Sequence, residues 1–129
     1  MSNKSYALEW FVIAQRNLET AQLLHQANHY TDVIAIDLHQ ALEKGLKAIY
    51  AYKGVAIPRT HSLPLLFDFV CQSIDLSAIP IEKIIAISDY YESDRYPGPK
   101  YFMPSADEIS QNIILTSSIL ELIKNILTK

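Results

Sequence analysis

Glycine, cysteine and arginine are scarce in this 129-residue chain, and each shortage closes off a class of chemistry. The three glycines, Gly45, Gly54 and Gly98, stand singly, so neither a glycine-rich phosphate loop nor a dinucleotide fingerprint can be built. The one cysteine, Cys71, excludes an internal disulfide and any multi-cysteine metal site. Within Phe67-Asp68-Phe69-Val70-Cys71 it reads as a small buried hydrophobe in a reducing compartment. No Gly-x-Ser-x-Gly elbow is present and no histidine stands close enough in sequence to activate Cys71, which argues against a self-sufficient nucleotide-hydrolysing or transferase enzyme. No apolar run is long enough to cross a bilayer, and Glu9, Gln15 and Arg16 interrupt the segment after Lys4 where a signal peptide needs an uncharged core. The expectation is a soluble cytoplasmic protein with no membrane partner. A formal charge of −3 provides no global positive field, so any contact with a polyanion has to come from a local cluster.

What the chain does have is apolar side chains, half of its residues, enough for one domain spanning 1–129 around a single core. Their spacing is helical. From Tyr6 to Ala27, Ala7, Trp10, Phe11, Ala14, Leu18, Ala21 and Leu24 recur at three- and four-residue steps. A second helix is expected from about Tyr30 to Lys53, stopped by Gly54. Ser62 is placed to cap a third, with Pro64 tolerated in its first turn and an end near Ser73. A fourth should start near Pro80, turn Ile81, Ile84, Ile85, Ser88 and Tyr91 inward, and end at Tyr96-Pro97-Gly98-Pro99. Ser105 and Glu108 form a capping-box pattern before the last helix, whose stripe is Ile109, Ile113, Leu120, Ile123 and Leu127. These patterns predict an all-α protein, a compact antiparallel up-and-down bundle of five helices.

The densest polar signal lies in the second helix, Asp37-Leu38-His39-Gln40-Ala41-Leu42-Glu43-Lys44-Gly45-Leu46-Lys47-Ala48. At about 100° per residue, Asp37, Gln40, Glu43, Lys44 and Lys47 share one face, expected to be open to a ligand or partner, with Ile34, Leu38, Ala41, Leu42, Gly45 and Ile49 opposite. Lys44 and Lys47, with Gln40 and Glu43 beside them, can offer cations and amide donors to a phosphate. The plainer reading is a solvated face with Glu43 and Lys47 as a four-residue ion pair. Two further short motifs follow, Thr60-His61-Ser62-Leu63 at a helix entrance and Asp94-Arg95-Tyr96-Pro97 at a helix exit. His61 can bond to backbone groups or sit by an anion, and Arg95 can grip a phosphate or brace its loop against Asp94, Glu92 or Glu43. His25 and His29 have the spacing of two helical metal ligands but lack a third, so no metal or cofactor is expected. The tyrosines Tyr50, Tyr52, Tyr90, Tyr91, Tyr96 and Tyr101 suit core or interface positions better than base stacking.

Taken together, these residues resemble the HEPN family, the higher eukaryotes and prokaryotes nucleotide-binding domain. The points of likeness are a Trp-containing first helix, Tyr30 opening the second, the Gln40-Ala41-Leu42-Glu43-Lys44-Gly45-Leu46-Lys47-Ala48 run, Gly54 behind it, Thr60-His61-Ser62-Leu63, and Tyr91 followed by Arg95-Tyr96-Pro97. The resemblance implies a helical bundle that pairs as a homodimer, a minimal nucleotidyltransferase as partner, and a nucleotide or RNA ligand. Many members are metal-independent ribonucleases with an Arg-x4-6-His motif. Here the three arginines, Arg16, Arg59 and Arg95, stand at no such spacing before His25, His29, His39 or His61, so the motif is absent. The expectation is therefore a non-catalytic nucleotide- or RNA-binding interaction protein, related to toxin–antitoxin pairs, with Gln40, Glu43, Lys44, Lys47, His61, Arg95 and Tyr96 as its ligand surface. Two alternatives stay open: a ribonuclease with an atypical site using Arg95 and His39 or His61, or a purely structural dimer.

Overall fold

The computed structural model describes residues 3–93 and 103–129, excluding the side chains of residues 92 and 93. Among these residues the chain forms five helices and no strand: α1 (Asn3–Gln26), α2 (Thr31–Lys53), α3 (Leu63–Val70), α4 (Ile81–Ser93) and α5 (Ala106–Leu127). The long helices α1 and α2 form an antiparallel hairpin, reversed at Asn28, whose positive φ of 55° is one of the few conformations open to a tight helix exit. The helix α5 packs against both, and α3 and α4 cover the remaining side of α2.

Local chemistry explains most boundaries. Gly54 takes the left-handed conformation at φ 67°, and its amide and that of Val55 bond to the carbonyls of Ala51 and Tyr50, a Schellman ending that releases the chain toward His61. Ser62 caps α3 through Leu65 N, and Ser105 caps α5 through Glu108 N. The third helix is shorter than its periodicity predicts: it stops at Val70, and Cys71 to Ile74 form turns held by bonds to Phe67, Phe69 and Val70 carbonyls. Cys71 is exposed, contrary to the expectation of burial, because its neighbours Phe67 and Val70 take the inward positions of that last turn. Partial desolvation of the thiol and the nearby Asp68 and Asp75 carboxylates raise its pKa, which favours the protonated thiol over the thiolate.

The fourth helix is rotated relative to the expected stripe. Ile84, Ile87 and Tyr90 are buried, whereas Ile81 and Ile85 are exposed. Tyr90 anchors this register: its hydroxyl donates to the Glu108 carboxylate and accepts from Asn112 Nδ2 at 2.8 Å, tying α4 to α5.

Because α2 has neighbours on nearly every side, it has no open face along its middle. All six residues assigned to its packing face are buried, but so are His39, Glu43 and Lys47. The expectation that Glu43 and Lys47 lie on a solvent-facing surface is thus corrected: the connector before α3 and the helix α4 close over that side. No helix among the described residues is long and apolar enough to cross a membrane.

Candidate functional site

Three elements converge on Glu43. The helix α2 sets His39, Glu43 and Lys47 four residues apart, one above another along a single line. The connector between α2 and α3 delivers His61, and it is fixed on both sides of that residue. Ser62 N donates to Thr60 Oγ1, and Leu63 N donates across to Ser88 Oγ of α4, both at 3.1 Å. The helix α4 then contributes Tyr91, whose ring lies against both imidazoles, stacked on His61 at 4.2 Å between centroids and tilted against His39 at 5.3 Å.

The carboxylate of Glu43 has no solvent exposure and four basic groups around it. His61 Nδ1 donates to Oε1 at 3.0 Å, while the ammonium groups of Lys47 and Lys44 donate to Oε2 at 3.1 and 3.3 Å. Burial pushes the Glu43 carboxyl upward, but the bonds from His61 and Lys47 and the two lysine charges outweigh it, so its pKa falls below the usual value. His39 reports the opposite balance. Desolvation dominates, the attraction of Glu43 only partly offsets it, and the imidazole is pushed down to about 4.

Hydrogen-bond direction places a proton on one named nitrogen of each histidine. The His61 carbonyl can only accept, so His39 Nε2 carries the proton of their 3.1 Å bond. His39 Nδ1 is then a bare acceptor, buried without a hydrogen-bond partner and 3.7 Å from Glu43 Oε1. Conversely, His61 donates its Nδ1–H to Glu43, which leaves Nε2 as the outer edge of a side chain that is half exposed. His61, Ser62, Ser88, Asp89 and Tyr91 line a cleft of about 380 Å³. Lys44, the more accessible of the two lysines, stands between this cluster and α1, its ammonium 5.8 Å from the Trp10 ring centroid.

Of the residues expected to form the ligand surface, Glu43, Lys44, Lys47 and His61 come together in one network. Gln40 is half-buried on α2 and takes no part in it. Arg95 and Tyr96 lie outside the described residues. His39, Tyr91, Ser88 and Asp89 were not assigned to the surface from sequence. The i, i+4, i+8 register of His39, Glu43 and Lys47 was a signal for the first; nothing in sequence spacing brings α4 to it. Of the pair His25 and His29, His25 bonds through Nε2 to Ser110 Oγ at 2.7 Å, and no group of three or more metal-ligating side chains occurs among the described residues.

Comparison with known proteins agrees with this architecture. Residues 7–126 match the HEPN domain, and the chain belongs to that family. It is 28% identical to "Putative toxin MJ1304" of Methanocaldococcus jannaschii, over 97% of this chain and 90% of that protein. Among solved structures it resembles TT1696 from Thermus thermophilus, with a TM-score of 0.78 and 24% identity over 92% of this chain and 96% of that one. It also resembles ST0689, an archaeal HEPN homologue, with a TM-score of 0.69 and 21% identity over 94% and 97% of the two chains. These two likenesses establish the all-α HEPN fold.

Proposed function

We propose that this protein is a phosphate-recognising member of the HEPN family that binds a nucleotide or an RNA segment at the Glu43-centred cluster without cleaving it. The observation that carries this reading is a charge imbalance. Two ammonium groups share one oxygen of a single buried carboxylate, and no second carboxylate lies within ion-pairing distance of either among the described residues. One negative charge leaves a local excess of one positive charge, in a chain whose net charge is −3. A phosphate that accepts from the Lys44 ammonium, beside the exposed edge of His61, neutralises that excess with charge-assisted hydrogen bonds. Lys47, being buried, sets the field rather than touching the ligand.

The kinship with a protein named as a putative toxin supports a toxin-related role; a minimal nucleotidyltransferase as partner and a second copy of this chain as dimer mate are the further parts of the proposal. Binding measured by calorimetry tests the reading. The parent should bind nucleoside triphosphates, and Lys44→Ala and His61→Ala should each weaken binding by about tenfold or more while circular dichroism stays unchanged.

A ribonuclease reading is favoured by one feature, the Glu43–His61 pair, which orients an imidazole as a base is oriented in acid–base catalysis. Against it stands the missing Arg-x4-6-His motif. Metal-independent RNA cleavage by the purified protein, abolished in His61→Ala, would replace the binding reading with the catalytic one.

A further inference from the structure

We infer that the cleft beside the Glu43 cluster selects guanine, with Asp89 as the residue that reads the base. This inference rests on the phosphate-binding reading and extends it from the phosphate to the base. The cleft's volume of about 380 Å³ falls within the range of about 300–1,000 Å³ typical of small-ligand sites. Its contents are those of a base pocket. His61 is held flat on Tyr91, fixed by its bond to Glu43 and half exposed, which makes it a rigid aromatic surface for a base to lie on. One carboxylate group, that of Glu43, separates this ring from the Lys44 ammonium, so a base on His61 places its own phosphate toward the positive excess.

The polar lining decides which base. Ser88 Oγ accepts from the Leu63 amide and Ser62 Oγ from the Leu65 amide, so each hydroxyl keeps one proton that can be donated to a base carbonyl such as guanine O6. Asp89 is exposed, has no ion pair or hydrogen bond among the described residues, and presents a group that accepts at both oxygens and donates at neither. Guanine is the base whose Watson–Crick edge offers two adjacent donors, N1–H and the 2-amino group, matching the two carboxylate oxygens. Adenine sets a lone pair at N1 beside its one amino group, which the carboxylate repels. Uracil has one N–H between two carbonyls, and cytosine has one amino group beside a bare ring nitrogen. Readout by the Asp89 carboxylate therefore both rewards guanine and penalises the alternatives.

Titration calorimetry with GTP, ATP, ITP and inorganic tripolyphosphate on the parent and on Asp89→Asn tests this. GTP should bind about tenfold or more tighter than ATP, because one well-satisfied charged contact changes affinity by about that factor. ITP, which keeps N1–H and lacks the 2-amino group, should fall between them. Asp89→Asn should weaken GTP toward ATP and leave tripolyphosphate unchanged, since the phosphate cluster is untouched. Equal affinity for GTP and ATP, or an Asp89→Asn variant that retains the preference, overturns guanine selection while leaving the phosphate reading intact. Tripolyphosphate binding as tightly as GTP overturns the base pocket alone. Absence of binding by all four overturns both readings.

Discussion

Glu43 is the residue on which the site depends, and its burial sets the scale of what its loss should do. Removing one partner of a buried charge network leaves uncompensated charge behind, at a typical cost of about 3–5 kcal/mol. Glu43→Ala should therefore lower the urea-unfolding free energy by that order and release His61 and Lys47 together. His39 makes a separate, pH-dependent prediction. Its pKa is lowered from 6.5 to about 4 by folding, so between those values the unfolded chain binds a proton that the folded protein refuses. Stability is complete above pH 6.5 and falls as the pH drops toward 4, by on the order of 3 kcal/mol. Glu43 adds acid lability further down, because its lowered pKa contributes stability that is lost as the pH falls below its unfolded value of 4.5. Urea titrations across this range should show the loss beginning near pH 6.5 in the parent and only near 4.5 in His39→Gln. The residue types of the site were legible in the α2 run, but their burial was not. A helical wheel assigns faces by polarity, and a buried carboxylate surrounded by basic groups is polar without being exposed.

At the scale of elements, the close approach of α2 and α5 depends on Gly45. A methyl group there would lie 2.3 Å from Leu120 Cδ2, and Leu120 is itself in the core. Alanine is the better helix former by about 0.8–1 kcal/mol, but forcing a packed core costs about 1–3 kcal/mol. Gly45→Ala should therefore be net destabilising by about 1 kcal/mol, whereas helix propensity alone predicts stabilisation; the urea midpoint distinguishes them. Ser105→Ala should cost about 1 kcal/mol through loss of the α5 cap, without affecting ligand binding. Helix starts and stops were readable because Gly54, Ser62 and Ser105 act through local backbone chemistry. The face of α4 was not. Counting Ile81, Ile84 and Ile85 as equivalent gave the wrong rotation, and the deciding contact, Tyr90 with Glu108 and Asn112, is made to the next helix, which the pattern within α4 does not show. The short α3 has the same cause, since its periodicity continues into turns that only the packing of Phe67 and Val70 terminates.

For the whole molecule, the described elements surround the middle of α2 closely enough that His39, Glu43 and Lys47 become an internal feature, met by the surface at the edge formed by His61, Lys44 and the cleft. We propose a different surface for the expected dimer. Val12 and Ile13 on α1 and Ile114 and Leu122 on α5 remain exposed, and sedimentation at tens of micromolar should show a species of twice the chain mass that the polar substitutions of the site do not dissociate. Whether the ligand sits at the excess positive charge around Glu43 is tested most directly by amide chemical-shift mapping of the isotopically labelled protein during titration with a nucleoside triphosphate. The largest shifts are predicted at Lys44, His61, Ser62 and Tyr91, disappearing in Lys44→Ala. Shifts confined to the groove on α1 around Val12 and Arg16, or none at saturating ligand, would contradict it.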